Sequence, residues 1–314
     1  MPKIAFIFPA YNEELTIEAT LLAFHSSVPE AELWVIDNNS SDKTAEISQE
    51  TLSKIGVGGG ILSEKRQGKG NAIRKAFQEI NADYYLISDA DLTYPPQQAR
   101  ELLAPVLSGD ADMVVGDRHA HGRYKAENKR TLHNFGNHFV LFLINTLFTT
   151  HLSDIMSGYR AFNRRFVKNY PILVEGFEIE TDMTLHALDK RFRIVELPIA
   201  YKDRPEGSLS KLNTLHDGLR VIKTIINIFR YYKPLCFFSL LSFLFFLGGL
   251  VAALPVLSDY IAYDYIYHLP LALLATGLEI MALLMLVVGL ILDQGAYYNK
   301  CNFEQKLLDT QRGK

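Results

Sequence analysis

DYYLISDADLTYP, residues 83–95, joins a strand-like run to an acidic turn. It opens as a short apolar strand and ends in two carboxylates, Asp89 and Asp91, one residue apart. Like charges that close repel each other, so the pair is tolerable in water or with a cation between them. At an extended strand end, residues two apart point the same way. Both carboxylates can then approach one hard cation such as Mg2+ or Mn2+. Such ions favour oxygen ligands and often keep diphosphate oxygens in their remaining positions. Alone, a D-x-D spacing is unspecific, because most such pairs are solvated turns.

The surrounding sequence repeats the pattern of a strand ending in polar residues. KIAFIF (3–8) and ELWVID (32–37) read as buried strands, and DMVVGD (112–117) as another. Asn12 to Phe24 reads as a helix with Leu15, Ala19, Leu22 and Ala23 on one face. Asp42 suits the cap of a helix that begins at Lys43. Gly68 to Ile80 is helical, with Ala72, Ile73, Ala76, Phe77 and Ile80 inward. Strands alternating with helices imply an α/β layer with a mostly parallel sheet. Ligands of such sheets bind beyond the carboxyl ends of the strands. Pro9-Ala10-Tyr11-Asn12, Asp37-Asn38-Asn39 and Asp89-Ala90-Asp91 would meet along that edge. GVGGG (56–60) fits neither a dinucleotide fingerprint nor a P-loop and reads as a flexible turn.

The 314 residues carry a formal net charge of −3, which gives no sign of a nucleic-acid partner. Cys236 and Cys301 are too few for a disulfide framework, and a reducing compartment fits them. The apolar run in residues 1–10 stops at Pro9 and reads as a first strand, not as a signal-peptide core. Two later runs differ in kind. Residues 235–257 carry no charge, and residues 269–292 carry only Glu279. Each is long enough to cross a hydrocarbon core of about 30 Å, which takes ~20 residues. Arg230, Lys233, Lys300, Lys306 and Arg312 flank the pair, and the linker carries Asp259 and Asp264 without Lys or Arg. The positive-inside rule then puts both ends of the hairpin, with the N-terminal domain, on the cytoplasmic side of a cell membrane. Tyr260, Tyr263, Tyr265 and Tyr267 suit the opposite interface; Tyr297 and Tyr298 suit the cytoplasmic one. Residues 213–232 read as an amphipathic helix at the interface. Residues 133–152 suit either the interface or packing on the sheet. Glu279 is a candidate for function or for pairing at a helix or subunit interface, the latter favoured.

PAYNEE (9–14), VIDNNSSDKT (35–44), GKGNAIRKAF (68–77) and SDADLTYP (88–95) occur in the order of the motifs of glycosyltransferase family 2, which the chain resembles. GDR (116–118), SDIMSGYRAFNR (153–164) and PIAYKDRPEGSLSKLNTLHDGLRVI (198–222) narrow the resemblance to the polyprenyl-phosphate glycosyltransferases. That group contains the dolichyl-phosphate mannose synthases and the bactoprenyl glucosyltransferases. The resemblance covers about residues 3–233. It implies a GT-A, Rossmann-like catalytic domain over 1–212, the interfacial helix at 213–233, a transmembrane hairpin over 234–293 and a cytoplasmic tail at 294–314. It also implies a UDP- or GDP-sugar donor, a polyprenyl phosphate acceptor, Mg2+ or Mn2+, and inversion at the anomeric carbon.

Residue by residue, Pro9, Tyr11, Glu13 and Asp37 match positions that hold the nucleoside, and Lys69 and Arg74 match basic positions near the donor. Asp91 matches the direct metal ligand, and Asp89 helps directly or through water or ribose. Thr93 stands where the mannose-synthase branch often has Gln. Arg118, Arg130, Arg160, Arg204 and Lys211 lie in or near the phosphate motifs, with hydroxyls from Ser208 or Ser210; arginine suits bidentate phosphate binding. Asp154 is a general base or a positioning residue, the latter favoured. One of Glu178, Glu180 and Asp182 touches the sugar or holds an arginine. The rival readings are a family 2 transferase with another lipid or glycan acceptor, a non-catalytic nucleotide-sugar-binding membrane scaffold, and a small transporter or flippase. Hairpins with few spans often associate, so a homo-oligomer is compatible with the sequence.

Overall fold

A computed structural model of the chain describes residues 2–119, 131–176, 178–201 and 226–312. The chain divides into two compact units, Met1–Thr214 and Leu215–Lys314. The first is built on a seven-stranded sheet. Its strands are β1 (Ile4–Ala10), β2 (Glu32–Asp37), β3 (Gly59–Ser63), β4 (Tyr84–Ile87), β5 (Met113–Asp117), β6 (Arg160–Asn163) and β7 (Ile194–Pro198). The helices are α1 (Ile17–Ser27), α2 (Thr44–Ile55), α3 (Lys69–Glu79), α4 (Ala99–Leu107), α5 (Thr131–Phe148), α6 (Arg164–Val167) and α7 (Ile179–Asp189).

The strand order is β3-β2-β1-β4-β6-β5-β7. All pairings are parallel except those of β6, which runs antiparallel to both β4 and β5. The mostly parallel sheet expected from the sequence is thus present, with one reversed strand that the alternation of elements does not reveal. The reversal has a consequence. The N-terminal end of β6 lies at the same edge as the C-terminal ends of β1, β2 and β4, because Ile87 pairs with Arg160 while Ala10 pairs with Asp37.

Aromatic rings fill the layer between the sheet and α1. Phe24 meets Phe6, Phe8 and Tyr159 edge to face at centroid distances of 5.8, 5.1 and 6.1 Å. Such contacts add to the burial of large apolar rings, worth about 0.5–1.5 kcal/mol per pair beyond area. α3 packs as expected, with Ala72, Ile73, Ala76, Phe77 and Ile80 buried. α1 does not. It starts at Ile17 because Asn12 takes a positive φ of 55° and residues 13–16 form turns. That delay turns the helix, so Ile17, Leu21 and Phe24 face the core while Leu15 and Leu22 face outward. Asp42, one residue before the N-cap Lys43, accepts from the Thr44 backbone N–H at 3.0 Å. The expected flexible turn at 56–60 is half wrong: Gly56 ends α2 in the left-handed region, but Gly59 and Gly60 belong to β3. Between the two elements Gly56, Val57 and Gly58 form the link. Close pairing with β2 accounts for this, since a side chain at Gly59 would overlap the Leu33 backbone.

The second unit holds α8 (Pro234–Tyr263) and α9 (Leu269–Arg312), preceded by a helical segment at 226–232. Both long helices are apolar enough to cross a membrane, and only 17% and 11% of their most apolar windows are buried. That exposure disfavours the alternative of core helices in a water-soluble domain. The turn between them is held by Asp259, whose Oδ2 accepts from the backbone N–H groups of Tyr267 and His268, both at 3.0 Å. Glu279 lies against α8 where Gly249 leaves room, since a Cβ there would overlap the carboxyl group.

His186 of α7 is buried among Phe166, Tyr170 and Phe192, with ring centroids 4.9–5.9 Å away. Burial, with a smaller contribution from Lys190, lowers it from 6.5 to about 4. The folded state therefore binds its proton later than the unfolded chain as pH falls. Its neutral ring costs nothing above pH 6.5, and stability is lost between pH 6.5 and about 4, by on the order of 3 kcal/mol. Thermal unfolding of the detergent-solubilised chain across that range should fall more steeply for the wild type than for His186→Phe. Parallel pH profiles would contradict this.

Candidate active site

The site is the edge where β1, β2 and β4 end and β6 begins. Register alone sets Ala10 beside Asp37 and leads Ser88–Asp91 out next to them. Loop contacts then lock the first two strand ends together. Asn12 Oδ1 accepts from the Ser41 N–H at 2.8 Å, and the Glu13 N–H donates to Thr44 Oγ1 at 2.8 Å. Asp37 is buried at 8% exposure and accepts from the Ser40 N–H. Asn38 reaches the next loop: its Nδ2 donates to the Arg66 carbonyl at 2.7 Å and its Oδ1 accepts from the Gly68 N–H at 2.7 Å. Pro9, Tyr11 and Glu13 are half-buried along this cleft. The expected nucleoside-binding residues are thus brought to one edge.

Lys69 is the centre of the arrangement. Its ammonium lies 2.5 Å from Asp89 Oδ1 and 2.5 Å from Glu180 Oε1. The sequence G-K-G explains how it gets there. Side chains at Gly68 or Gly70 would overlap the carbonyls of Glu175 and Val174, so glycine on both sides lets residues 174–175 lie against the start of α3. The Gly70 N–H donates to the Glu175 carbonyl at 2.9 Å, and that segment leads directly into α7 and Glu180. Burial pushes the lysine down, but Asp89 and Glu180 outweigh it and hold the ammonium charged, above the ordinary lysine range. Of the three acids in FEIETDM, Glu180 pairs with a lysine. Asp182 accepts from the Tyr170 hydroxyl. Arg74 is half-buried on α3, with no ion pair among the described residues.

Gly158, from the S-G-Y-R stretch, closes the site from the β6 side. A Cβ there would lie 2.8 Å from the Lys69 ammonium and 3.2 Å from Asp89 Oδ2. Its N–H donates to the Tyr94 hydroxyl at 2.8 Å, and Tyr94 stacks on Tyr159 at 5.2 Å. Tyr94 and Gly158 were not among the expected site residues, although both stand inside quoted motifs.

Asp91 is 2% exposed, and its Oδ1 accepts from the Thr93 hydroxyl at 2.6 Å and the Thr93 N–H at 3.2 Å. Thr93, in place of Gln, therefore orients Asp91. The carbonyl of the intervening Ala90 accepts from Thr16 Oγ1 at 2.8 Å and Thr20 Oγ1 at 3.2 Å.

Two expected phosphate ligands are engaged within the protein. Arg160 is 1% exposed; its guanidinium donates to the carbonyls of Ser157 and Ile155 at 2.8 and 2.7 Å and to Thr184 Oγ1 at 2.9 Å. Arg160, expected to be a catalytic residue, is in this structure a buried tie that shapes the loop before β6. Arg118 forms a bidentate pair with Asp154, Nε to Oδ2 at 2.7 Å and Nη2 to Oδ1 at 3.0 Å. The Asp154 carboxyl is buried, which raises it, but Arg118 outweighs that and holds it below the usual carboxylate range. A carboxylate so held is a poor proton acceptor, which favours positioning over general-base work. Glu196 in turn accepts from the backbone N–H groups of Ser153 and Asp154. Arg130, Arg204, Ser208, Ser210 and Lys211 lie outside the described residues.

Asp89 and Asp91 offer oxygen donors only, which suits a hard cation such as Mg2+ or Mn2+ that completes its sphere with water and diphosphate. Among the described residues no third carboxylate, histidine or cysteine joins them in a ready-made cage. The donor set fits such an ion in kind, with Asp91 buried at 2% exposure and Asp89 sharing its carboxylate with the Lys69 ammonium.

Comparison with known proteins identifies the family of the N-terminal unit. The family model described as glycosyl transferase family 2 matches residues 5–170. The glycosyltransferase AglJ of Haloferax volcanii is 29% identical over 295 residues, covering 92% of each chain. The undecaprenyl-phosphate mannosyltransferase of Micrococcus luteus is 28% identical over 235 residues, 73% of this chain and 93% of that protein. The dolichol-phosphate mannosyltransferase of Pyrococcus furiosus is 28% identical over 234 residues, 72% of this chain and 64% of that protein. Among solved structures, glucosyl-3-phosphoglycerate synthase from Mycobacterium tuberculosis, in complex with Mn2+, UDP and phosphoglyceric acid, superposes with a TM-score of 0.54 at 21% identity. It covers 73% of this chain and 78% of that one, and shares the GT-A fold.

Lys69→Met would strand the Glu180 carboxylate, 8% exposed, and should cost about 3–5 kcal/mol, as loss of one partner of a buried ion pair does. Adding Glu180→Gln should recover a good part of that loss. Strictly additive destabilisation in a double-mutant cycle of thermal unfolding would contradict the pairing. With its ordered motifs, its seven-stranded sheet and its acid pair at the strand edge, the chain belongs to glycosyl transferase family 2.

Proposed function

We propose that this glycosyltransferase moves a single sugar from a UDP- or GDP-sugar to a polyprenyl phosphate, with inversion, at the cytoplasmic face of a membrane. The observation that carries the reading is the union, in one chain, of the acidic strand edge with two helices long and apolar enough to cross a bilayer. The names of relatives that act on undecaprenyl and dolichol phosphate support it. The exposed tyrosines 260, 263, 265 and 267 at one end of the helix pair, and 297 and 298 on α9, suit the two interfaces of such a hairpin.

The reaction forms a bond between a phosphate oxygen of the acceptor and the anomeric carbon, and breaks the bond from that carbon to the nucleoside diphosphate. An acceptor phosphate monoester, with a second pKa of about 6, is largely dianionic near neutral pH and needs no base. The demands fall on charge and alignment instead. Asp37, with Tyr11 and Glu13, would hold the nucleoside from the β1 and β2 ends. Asp89 and Asp91 would hold Mg2+ or Mn2+, which when bound supplies charge neutralisation for the departing diphosphate. Lys69 keeps a second positive charge beside Asp89 and within reach of the donor side. Asp154 fixes Arg118. Arg130, Arg204, Lys211 and the hydroxyls of Ser208 or Ser210 would receive the acceptor phosphate, and the helix hairpin keeps that headgroup at high local concentration.

A screen of UDP- and GDP-sugars against undecaprenyl and dolichyl phosphate in detergent tests this directly. Lipid-linked sugar should form with Mn2+ or Mg2+ and stop with EDTA; product formed equally without metal would reject the mechanism. In correctly folded variants, Asp91→Asn should lower turnover by roughly a hundredfold or more, and Asp154→Asn by about tenfold. Equal, complete loss in both would return Asp154 to the role of base.

A further inference from the structure

We propose that Thr16 and Thr20 are positioning residues that set the acid pair for its cation and tie it to the nucleotide side of the cleft. The inference rests on the reading of Asp89 and Asp91 as a divalent-cation site. Both threonines lie on the first turns of the β1–α1 connection and α1, at 3% and 0% exposure. Threonine is a mediocre helix former, and a buried hydroxyl is costly unless it finds a partner. Thr16 Oγ1 donates to the carbonyl of Ala90 at 2.8 Å, 74 residues away in sequence, and Thr20 Oγ1 shares its proton between that carbonyl at 3.2 Å and the Thr16 carbonyl at 2.9 Å. The Ala90 carbonyl belongs to the peptide plane joining Ala90 to Asp91. The Thr16 hydroxyl, backed by Thr20, fixes that plane, and the Thr93 hydroxyl and N–H fix the Asp91 carboxylate beyond it.

Thr16 has a second contact. Its hydroxyl lies 3.2 Å from Glu13 Oε2 as well as 2.8 Å from the Ala90 carbonyl. It therefore stands between a residue on the nucleoside side and the strand end that carries both acids. A hydroxyl has one proton, so a shift of Glu13 on nucleotide binding changes the bond to Ala90. Cation and nucleotide affinities are then linked through this side chain, beyond any direct contact between the ion and the diphosphate. By linkage the coupling is reciprocal.

The test is binding by the full-length chain in detergent, with no acceptor and no turnover. Mn2+ is titrated by the loss of its free-ion paramagnetic resonance signal, without nucleotide and with UDP or GDP. Thr16→Val/Thr20→Val keeps the shape and removes both donors. The Mn2+ dissociation constant should rise by about tenfold or more, since each lost bond to a buried acceptor is worth up to about a factor of ten. Thr16→Ser/Thr20→Ser, which keeps both hydroxyls, should restore it to within about threefold of the wild type. If the valine pair does not fold, Thr16→Val alone decides on the same terms, and it should also shrink the ratio of Mn2+ affinities measured with and without nucleotide. Wild-type Mn2+ affinity and wild-type coupling in folded valine variants would overturn the inference while leaving the proposed function standing. A wild type that binds no Mn2+ in the presence of either nucleotide would overturn both.

Discussion

The ammonium of Lys69, wedged between Asp89 and Glu180, is the interaction on which the rest of the site depends. It stands at the first position of α3, where the helix dipole disfavours a positive charge. A largely covered lysine at such a point is stable only because two carboxylates meet it. One comes from the end of β4 and the other from the first turn of α7. The same charge balance lets a chain put two acids one residue apart at the end of a buried strand. The conflict between local preference and final structure falls where function is expected.

Topology decides which residues can share that balance. With an all-parallel sheet, the segment before β6 would lie at the far edge from Asp89. Because β6 is reversed, Gly158 and the loop tied by Arg160 come to the acidic edge, and Gly158 leaves just the space that Lys69 occupies. The Arg118–Asp154 pair extends the same edge from the end of β5, with the Arg118 guanidinium 5.7 Å above the Tyr201 ring. The Lys69–Asp89 and Arg118–Asp154 pairs therefore share one edge by construction of the sheet.

Much of this was legible in the sequence, and for identifiable reasons. Strands β1, β2, β4 and β5 are apolar runs ending in polar residues, and α3 has an unbroken inward face, so burial patterns announced them. The two C-terminal helices were legible from length and lack of charge. The hidden parts depend on contacts distant in sequence. The start of α1 was misread because Asn12 adopts a left-handed conformation to meet Ser41, a contact no local period encodes. The setting of Arg160 was not legible because an arginine in a phosphate-family motif looks the same whether it faces a ligand or ties down carbonyls. Thr16 and Thr20 looked like ordinary helix residues, although two hydroxyls four apart on a buried face were a signal that a polar partner had to be near. One of Glu178, Glu180 and Asp182 was expected to touch the sugar or hold an arginine, and only packing of the G-K-G turn against residues 174–175 brings Glu180 and Lys69 together.

The most direct measurement of the central claim is anomalous scattering from Mn2+ in crystals of the chain grown with a UDP- or GDP-sugar. One strong peak is expected, bounded by the carboxylates of Asp89 and Asp91 and by the donor diphosphate, with the Lys69 ammonium still on Glu180. A nucleotide seated along the β1 and β2 ends with no manganese beside it, or with the ion held by other residues, would contradict it.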